Sequence, residues 1–219
     1  MKKFDIQAKY KAFIEYFEET MPVAESELKF LNPYQLVVAV VLSAQCTDKR
    51  VNMTTPAFFE RFPDAKSLSE ASQDEVYQLI KSISYPNNKA KNLIGMAKAL
   101  MTDFDGVVPD NIDDLQRLPG VGRKTANVVA AVAFDKPAMP VDTHVFRVSA
   151  RIGLTKNAKT PLETEKQLVA HIPQKQLSKA HHWLILHGRY VCMARKPKCD
   201  ECGIKAICDF YQKNSKKVC

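Results

Sequence analysis

Almost nothing in this sequence alternates apolar and polar residues as a half-buried strand does, so helices are left as the building material. Long apolar runs are missing too. The longest, Leu36 to Leu42, has seven residues, against about 20 for a membrane-spanning helix, so no membrane partner is expected. No cleavable leader is visible: Met1-Lys2-Lys3 starts basic, but an acidic amphipathic segment follows where an apolar stretch would stand. The expected location is therefore intracellular, in the cytoplasm or nucleoid. Thiols there stay reduced, so six cysteines point to metal binding before disulfides. Internal repeats and long linkers are also absent.

What is present begins with 219 residues, 46% of them hydrophobic, enough for one large or two small domains. The net charge of +8 suits nucleic acid or another anionic surface, although general solubility would read the same way. Asp5 to Thr20 places apolar residues at helical spacing. Asn32 can cap a helix opening with Pro33. Its middle, Leu36 to Leu42, is apolar all round; length and the cap favour a buried helix over a buried strand. Thr47 caps the next segment, which Pro56 is expected to break or kink. Ser72 and Glu75 form a capping box before Val76 to Ile83. Asn87 or Asn88 opens a helix through Phe104, and further helices are expected over 143–152, 161–171 and 177–191. Lys213 to Cys219 reads as a basic tail.

The most informative segment is Leu118-Pro119-Gly120-Val121-Gly122-Arg123-Lys124-Thr125. An amphipathic stretch, Asn111 to Arg117, leads in, and an apolar one, Thr125 to Phe134, leads out. Gly120 and Gly122 allow positive φ and close approach of a ligand to bare backbone. The second helix then opens with N–H groups that favour an anion. Lys124 lies in its first turn, and Val141-Asp142-Thr143-His144 follows after a loop with Pro137 and Pro140. Phosphate grip, a buried amine and a carboxylate suggest chemistry on a nucleic-acid backbone. A Walker loop is excluded because Arg123 separates Gly122 from Lys124. A dinucleotide fingerprint is excluded by Thr125 in place of a third glycine and by the helix before Leu118. An ordinary helix–turn–helix corner remains the plain alternative for the hairpin alone.

The cysteines read Cys192-x6-Cys199-x2-Cys202-x5-Cys208, four thiols closing tight loops. Such a set suits a [4Fe–4S] cluster or, with a poorly fitting first gap, structural zinc. Cys46 and Trp183 read as core residues. His181, His182 and His187 need no metal, because the tail cysteines already complete a site.

The hairpin, the Val-Asp-Thr-His segment, Leu42-Ser43-Ala44-Gln45-Cys46-Thr47-Asp48, the stretch from His181 to Tyr190 and the cysteine spacing together resemble the endonuclease III family of DNA glycosylases, within the helix-hairpin-helix superfamily. The resemblance runs from about Asn32 to Cys208. It implies an all-α, two-lobed fold with duplex DNA across the cleft. A six-helix lobe with the hairpin would span 26–136, and a discontinuous lobe of 1–25 plus 137–219 would carry one [4Fe–4S] cluster on Cys192, Cys199, Cys202 and Cys208. The implied enzyme removes oxidised or ring-damaged pyrimidines and then cleaves at the abasic site, as a monomer.

Lys124 is the candidate nucleophile, its pKa lowered by the helix N-terminus and by burial. Asp142 is the candidate carboxylate, stabilising positive charge on the sugar, although Asp142-Thr143 also reads as a plain helix cap. Extrusion of the damaged nucleotide leaves a gap, where the family match puts Gln45. A second wedge loop falls on Ser84-Tyr85-Pro86-Asn87, where relatives commonly carry Gly-Leu-Tyr in the first three positions. Tyr85 is expected to be extended before Pro86 and to insert beside the flipped nucleotide, with inward packing as its alternative. Gly120, Gly122, Arg123, Thr143 and His144 are candidate DNA contacts. So are Arg195, Lys196 and Lys198 in the first cysteine loop. The adenine-mismatch branch of the superfamily normally lacks the hairpin lysine, carries an early glutamate and has a further C-terminal domain. This chain has Lys124 and Gln45, and leaves no room after Cys208 for that domain. A non-catalytic DNA-binding protein using the same hairpin is the rival of another class.

Overall fold

The computed structural model describes residues 4–215. Residues 216–219, which include Cys219 and the end of the expected basic tail, lie outside the described residues, as do residues 1–3. Every regular element described is helical: α1 (Ile6–Thr20), α2 (Pro33–Ser43), α3 (Asp48–Arg61), α4 (Ala65–Ser69), α5 (Gln73–Ile80), α6 (Pro86–Asp103), α7 (Ile112–Arg117), α8 (Arg123–Phe134), α9 (Thr143–Ile152), α10 (Pro161–His171), α11 (Leu177–Tyr190) and α12 (Asp209–Ser215).

Local chemistry explains the starts. The Asn32 carboxamide accepts the Gln35 N–H at 2.9 Å, with Pro33 in the first turn of α2. Thr47 caps α3 through the Arg50 N–H at 3.3 Å. Ser72 accepts the Glu75 N–H while Glu75 accepts the Ser72 N–H, closing the expected box on α5. Each such cap contributes about 1 kcal/mol.

Three expectations are corrected. Of the break or kink expected at Pro56, the break does not occur: α3 runs through it. The proline ring lies on the exposed side, while Val51, Thr55 and Phe58 are buried on the other. Burying a Phe side chain is worth about 1.5–3 kcal/mol, enough to offset much of one missing backbone bond. Second, α5 ends at Ile80 and α6 starts at Pro86, ahead of Asn87. Third, Tyr85 is left-handed, with φ 57° and ψ 51°, instead of extended. The Ile83 N–H closes a turn on Ile80 O at 2.8 Å, and the chain must then reverse into Pro86. A left-handed residue makes that reversal; an extended one would carry the chain away.

The chain divides into two compact units at 25/26 and 136/137. The unit of 26–136 holds seven helices among the described residues, α2 to α8, one more than six because 65–69 forms its own short helix. Leu36 to Leu42 is buried throughout, and α2 packs on α3, α6 and α8. The other unit joins α1 to α9–α12. Its core gathers Phe13, Phe17 and Trp183, with the indole N–H donating to Met21 O at 2.8 Å. Lys9, almost fully buried, donates to Ile152 O at 3.0 Å and pairs with Asp209, so the first helix is tied to α9 and α12.

Candidate active site

The hairpin between α7 and α8 is anchored by two buried apolar residues, Leu118 and Val121, joined by the Val121 N–H to Leu118 O at 3.0 Å. Gly120 has φ +80°, and a Cβ there would lie 2.9 Å from Asn92 Cβ on α6. Both facts require glycine. Pro119 in turn sits where a Cβ on Gly95 would come within 3.2 Å. The hairpin is thus seated on α6. Gly122 has an ordinary φ of −85°, so it does not use the positive φ that glycine allows. Its part is space: a Cβ there would meet nothing within 4 Å. It is the N-cap of α8 with no side-chain cap, so bare backbone opens the helix.

Lys124 stands in the first turn of α8 beside Arg123, and both are exposed. The expected buried amine is therefore corrected. Burial on α8 begins only at Ala126 and then runs without a break to Ala131; Lys124 stands ahead of it, in the exposed first turn.

Asp142 caps α9. Its Oδ1 accepts the His144 and Val145 N–H groups at 2.8 Å each, and Oδ2 lies 3.1 Å from His144 Nδ1. Burial alone would raise its pKa. The hydrogen bonds from Val145 N–H and His144, with the charge of His144 and His181, outweigh burial and hold the carboxyl below its ordinary value. Thr143 is exposed and His144 half-buried. Gly188 lets α11 approach His144: a Cβ at 188 would lie 3.0 Å from His144 Cβ.

In the other unit, Gln45 is exposed between α2 and α3 with φ 54°, a second left-handed non-glycine residue. Tyr85 is 62% exposed, against the inward-packing alternative. Between these loops lies a residue that sequence reasoning missed. Lys89, only 6% exposed, donates to Leu42 O at 2.9 Å and Ala44 O at 2.6 Å. The signal was a lysine in the buried stripe of Ala90, Leu93, Met96, Ala97 and Leu100.

All four tail cysteines line one pocket, whose wall also includes Ile152, His187, Lys198, Lys205 and Phe210. Burial raises the thiol pKa of Cys199, Cys202 and Cys208, and neighbouring thiolates add to the rise. Four thiolates so placed need strong positive charge among them. Four thiolates around one pocket are the donor set of a [4Fe–4S] cluster, so the residues present fit that group.

Two arginines unremarked in the sequence hold the cysteine loop. Arg147 donates to Gly188 O at 3.0 Å and Cys192 O at 3.2 Å; Arg151 reaches Met193 O at 2.8 Å and Ala194 O at 3.1 Å. The loop then presents Arg195, Lys196 and Lys198 exposed, with Lys196 left-handed at φ 48°. Buried His187, its pKa pushed down to about 4 by desolvation, is neutral, with Nε2 3.6 Å from Cys202 Sγ. No helix among the described residues is long and apolar enough to cross a membrane.

Residues 38–174 match the HhH-GPD superfamily of base excision DNA repair proteins, and 192–208 match the iron-sulfur binding domain of endonuclease III. The chain is 48% identical to an endonuclease III of Rickettsia felis over 90% of this chain and 92% of that protein. It is 47% identical to an endonuclease III of Bacillus subtilis over 91% of each. A solved endonuclease III, trapped as a covalent intermediate with DNA, superposes with a TM-score of 0.91 at 40% identity, covering 97% of this chain and 99% of that one. Helical fold, hairpin, cysteine pocket and these matches agree: the chain belongs to the endonuclease III family of the HhH-GPD superfamily.

Proposed function

We propose that this chain excises oxidised or ring-damaged pyrimidines from duplex DNA as a monomer, in the DNA-containing compartment of the cell, and that Lys124 and Asp142 carry the reaction. As an endonuclease III family member it is a DNA-binding glycosylase with lyase activity. The observation that carries the residue assignment is Lys124 in the first turn of α8, next to the uncapped backbone of Gly122. Backbone N–H groups and the helix dipole there favour a phosphate, which would bring the sugar to the amine.

The chemistry follows in order. The flipped nucleotide leaves the stack. The Lys124 amine, once deprotonated, bonds to C1′ as the C1′–N bond breaks and the base departs. Positive charge on the sugar is opposed by the Asp142 carboxylate, kept ionised by its hydrogen bonds. Ring opening gives a Schiff base. Loss of a C2′ proton expels the 3′ phosphate, and water releases the amine. Lys124 is exposed in the protein alone, so bound DNA would have to exclude water from the amine. Gln45 would bond the widowed base and Tyr85 would fill the space beside it. Gly120, Gly122, Arg123, Thr143 and His144 would approach the backbone.

Cys192, Cys199, Cys202 and Cys208 would hold the [4Fe–4S] cluster. When bound, it supplies a rigid cross-link of four chain positions. Around it, Arg147 and Arg151 shape the loop of Arg195, Lys196 and Lys198. The purified protein should be brown, with about four irons per chain and little zinc. Stoichiometric zinc without iron, in protein prepared without oxygen, would contradict this.

Replacing Arg195, Lys196 and Lys198 together should weaken DNA binding and flatten its salt dependence. Each phosphate that the variant no longer neutralises should reduce the log–log slope by about 0.9. An unchanged slope places these side chains away from DNA. The function itself is tested on a duplex holding one oxidised pyrimidine under single-turnover conditions. Base release with a break on the 3′ side is expected; release of adenine from a mismatch, without a break, would overturn the reading.

A further inference from the structure

The α6 helix organises much of its unit. Asn92 and Gly95 seat the hairpin through Gly120 and Pro119. Tyr85 is the N-cap of the same helix. One turn in, Lys89 joins both exposed loops. Its N–H donates to Tyr85 O at 3.1 Å. Its ammonium donates to Leu42 O at 2.9 Å and to Ala44 O at 2.6 Å. The Ala44 carbonyl belongs to the peptide that enters Gln45, so its direction sets the plane from which Gln45 departs.

Both ends of this link are strained. Gln45 and Tyr85 are non-glycine residues at φ 54° and 57°. Such residues cost of order 1–3 kcal/mol and persist only where surroundings over-determine them. Around Gln45 the supports are few: Cys46 N–H to Ser43 O at 3.0 Å, Ser43 Oγ to Val40 O at 2.9 Å, and the Lys89 ammonium. A cation is also favoured at the C-terminus of α2, where the last carbonyls lack intrahelical donors. Yet burying an ammonium is expensive, and an apolar residue of similar volume often serves stability as well. The lysine in this buried stripe is better explained by what it orients.

We propose that Lys89 is a positioning residue for base extrusion, its ammonium fixing the Gln45 loop against the first turn of α6, which Tyr85 caps, so that Gln45 fills the gap as the nucleotide leaves. The proposal rests on reading Gln45 and Tyr85 as the residues that fill that gap. Lys89 touches no substrate; it acts through Gln45.

The test is a double-mutant cycle. Single-turnover base release from a paired oxidised pyrimidine is measured for wild type, K89M, Q45A and K89M/Q45A. Borohydride trapping at an abasic site opposite a gap, where less unstacking is required, is measured alongside. K89M should slow release from the paired lesion roughly 10-fold, a 1.4 kcal/mol change in barrier, and alter trapping at the gap less than about 3-fold. Added to Q45A, it should cost nothing further. Losses that multiply in the double mutant, or equal losses on both substrates, overturn the proposal. Wild-type rates for Q45A instead overturn the reading of Gln45 beneath it. Should K89M fold poorly, K89Q serves in the cycle, with amide exchange of the free protein as a second readout. Exchange at Cys46 should quicken while α8 is unchanged; an unaltered rate at Cys46 counts against the proposal.

Discussion

Lys124→Ala should abolish strand cleavage and the borohydride-trapped adduct while leaving affinity for damaged duplex within a few-fold of wild type. Two features separate these effects. The phosphate grip proposed at the hairpin would come from backbone at Gly120 and Gly122 and from the start of α8, none of which the substitution removes. In the proposed reaction only the amine would bond to C1′. Lys124 is exposed, and alanine is the best helix former, so stability should change by less than about 0.5 kcal/mol. The lyase rate should fall by at least the roughly 10²–10⁴-fold typical of losing a group that acts in the transition state. Cleavage at the wild-type rate would reassign the nucleophile.

Asp142→Asn should slow base release roughly 10²–10³-fold, the range for losing one preorganised electrostatic partner, while barely weakening binding. The choice of asparagine matters. Asn and Asp are comparable helix caps, so the bonds from His144 N–H and Val145 N–H survive and only the charge is removed. An alanine would remove cap and charge together. Because its hydrogen bonds hold Asp142 below the ordinary 3.8, its charge persists until pH falls through that depressed value. The acid limb it contributes to base release should therefore lie below the ordinary carboxylate range and vanish in the asparagine variant. An unchanged single-turnover rate would refute the role.

Helices and their starts were largely legible in the sequence, because caps act over three or four residues. Asn32, Thr47 and the Ser72/Glu75 pair each announce an α-helix locally. The hairpin was legible for the same reason, since Gly120 answers both a positive φ and the approach of Asn92. What stayed hidden depends on partners far along the chain. Pro56 reads as a breaker until the burial of Phe58 is known. Lys89 reads as a surface lysine until Leu42 and Ala44 turn their carbonyls to it. Arg147 and Arg151 look like helix-surface cations, yet they bond carbonyls of residues 188 and 192–194. The exposure of Lys124 was misjudged because the sequence does not show how far along α8 the core begins: the helix is exposed at Arg123 and Lys124 and buried from Ala126 on.

The proposed chemistry turns on the identity of the attacking amine. The decisive measurement is borohydride trapping of the wild-type protein on a duplex with one abasic site, followed by digestion and mass spectrometry of the cross-linked peptide. A single adduct is expected, carried by Lys124 in the peptide that opens α8. An adduct on another lysine, or base release from an oxidised pyrimidine with no trapped species at all, would contradict it.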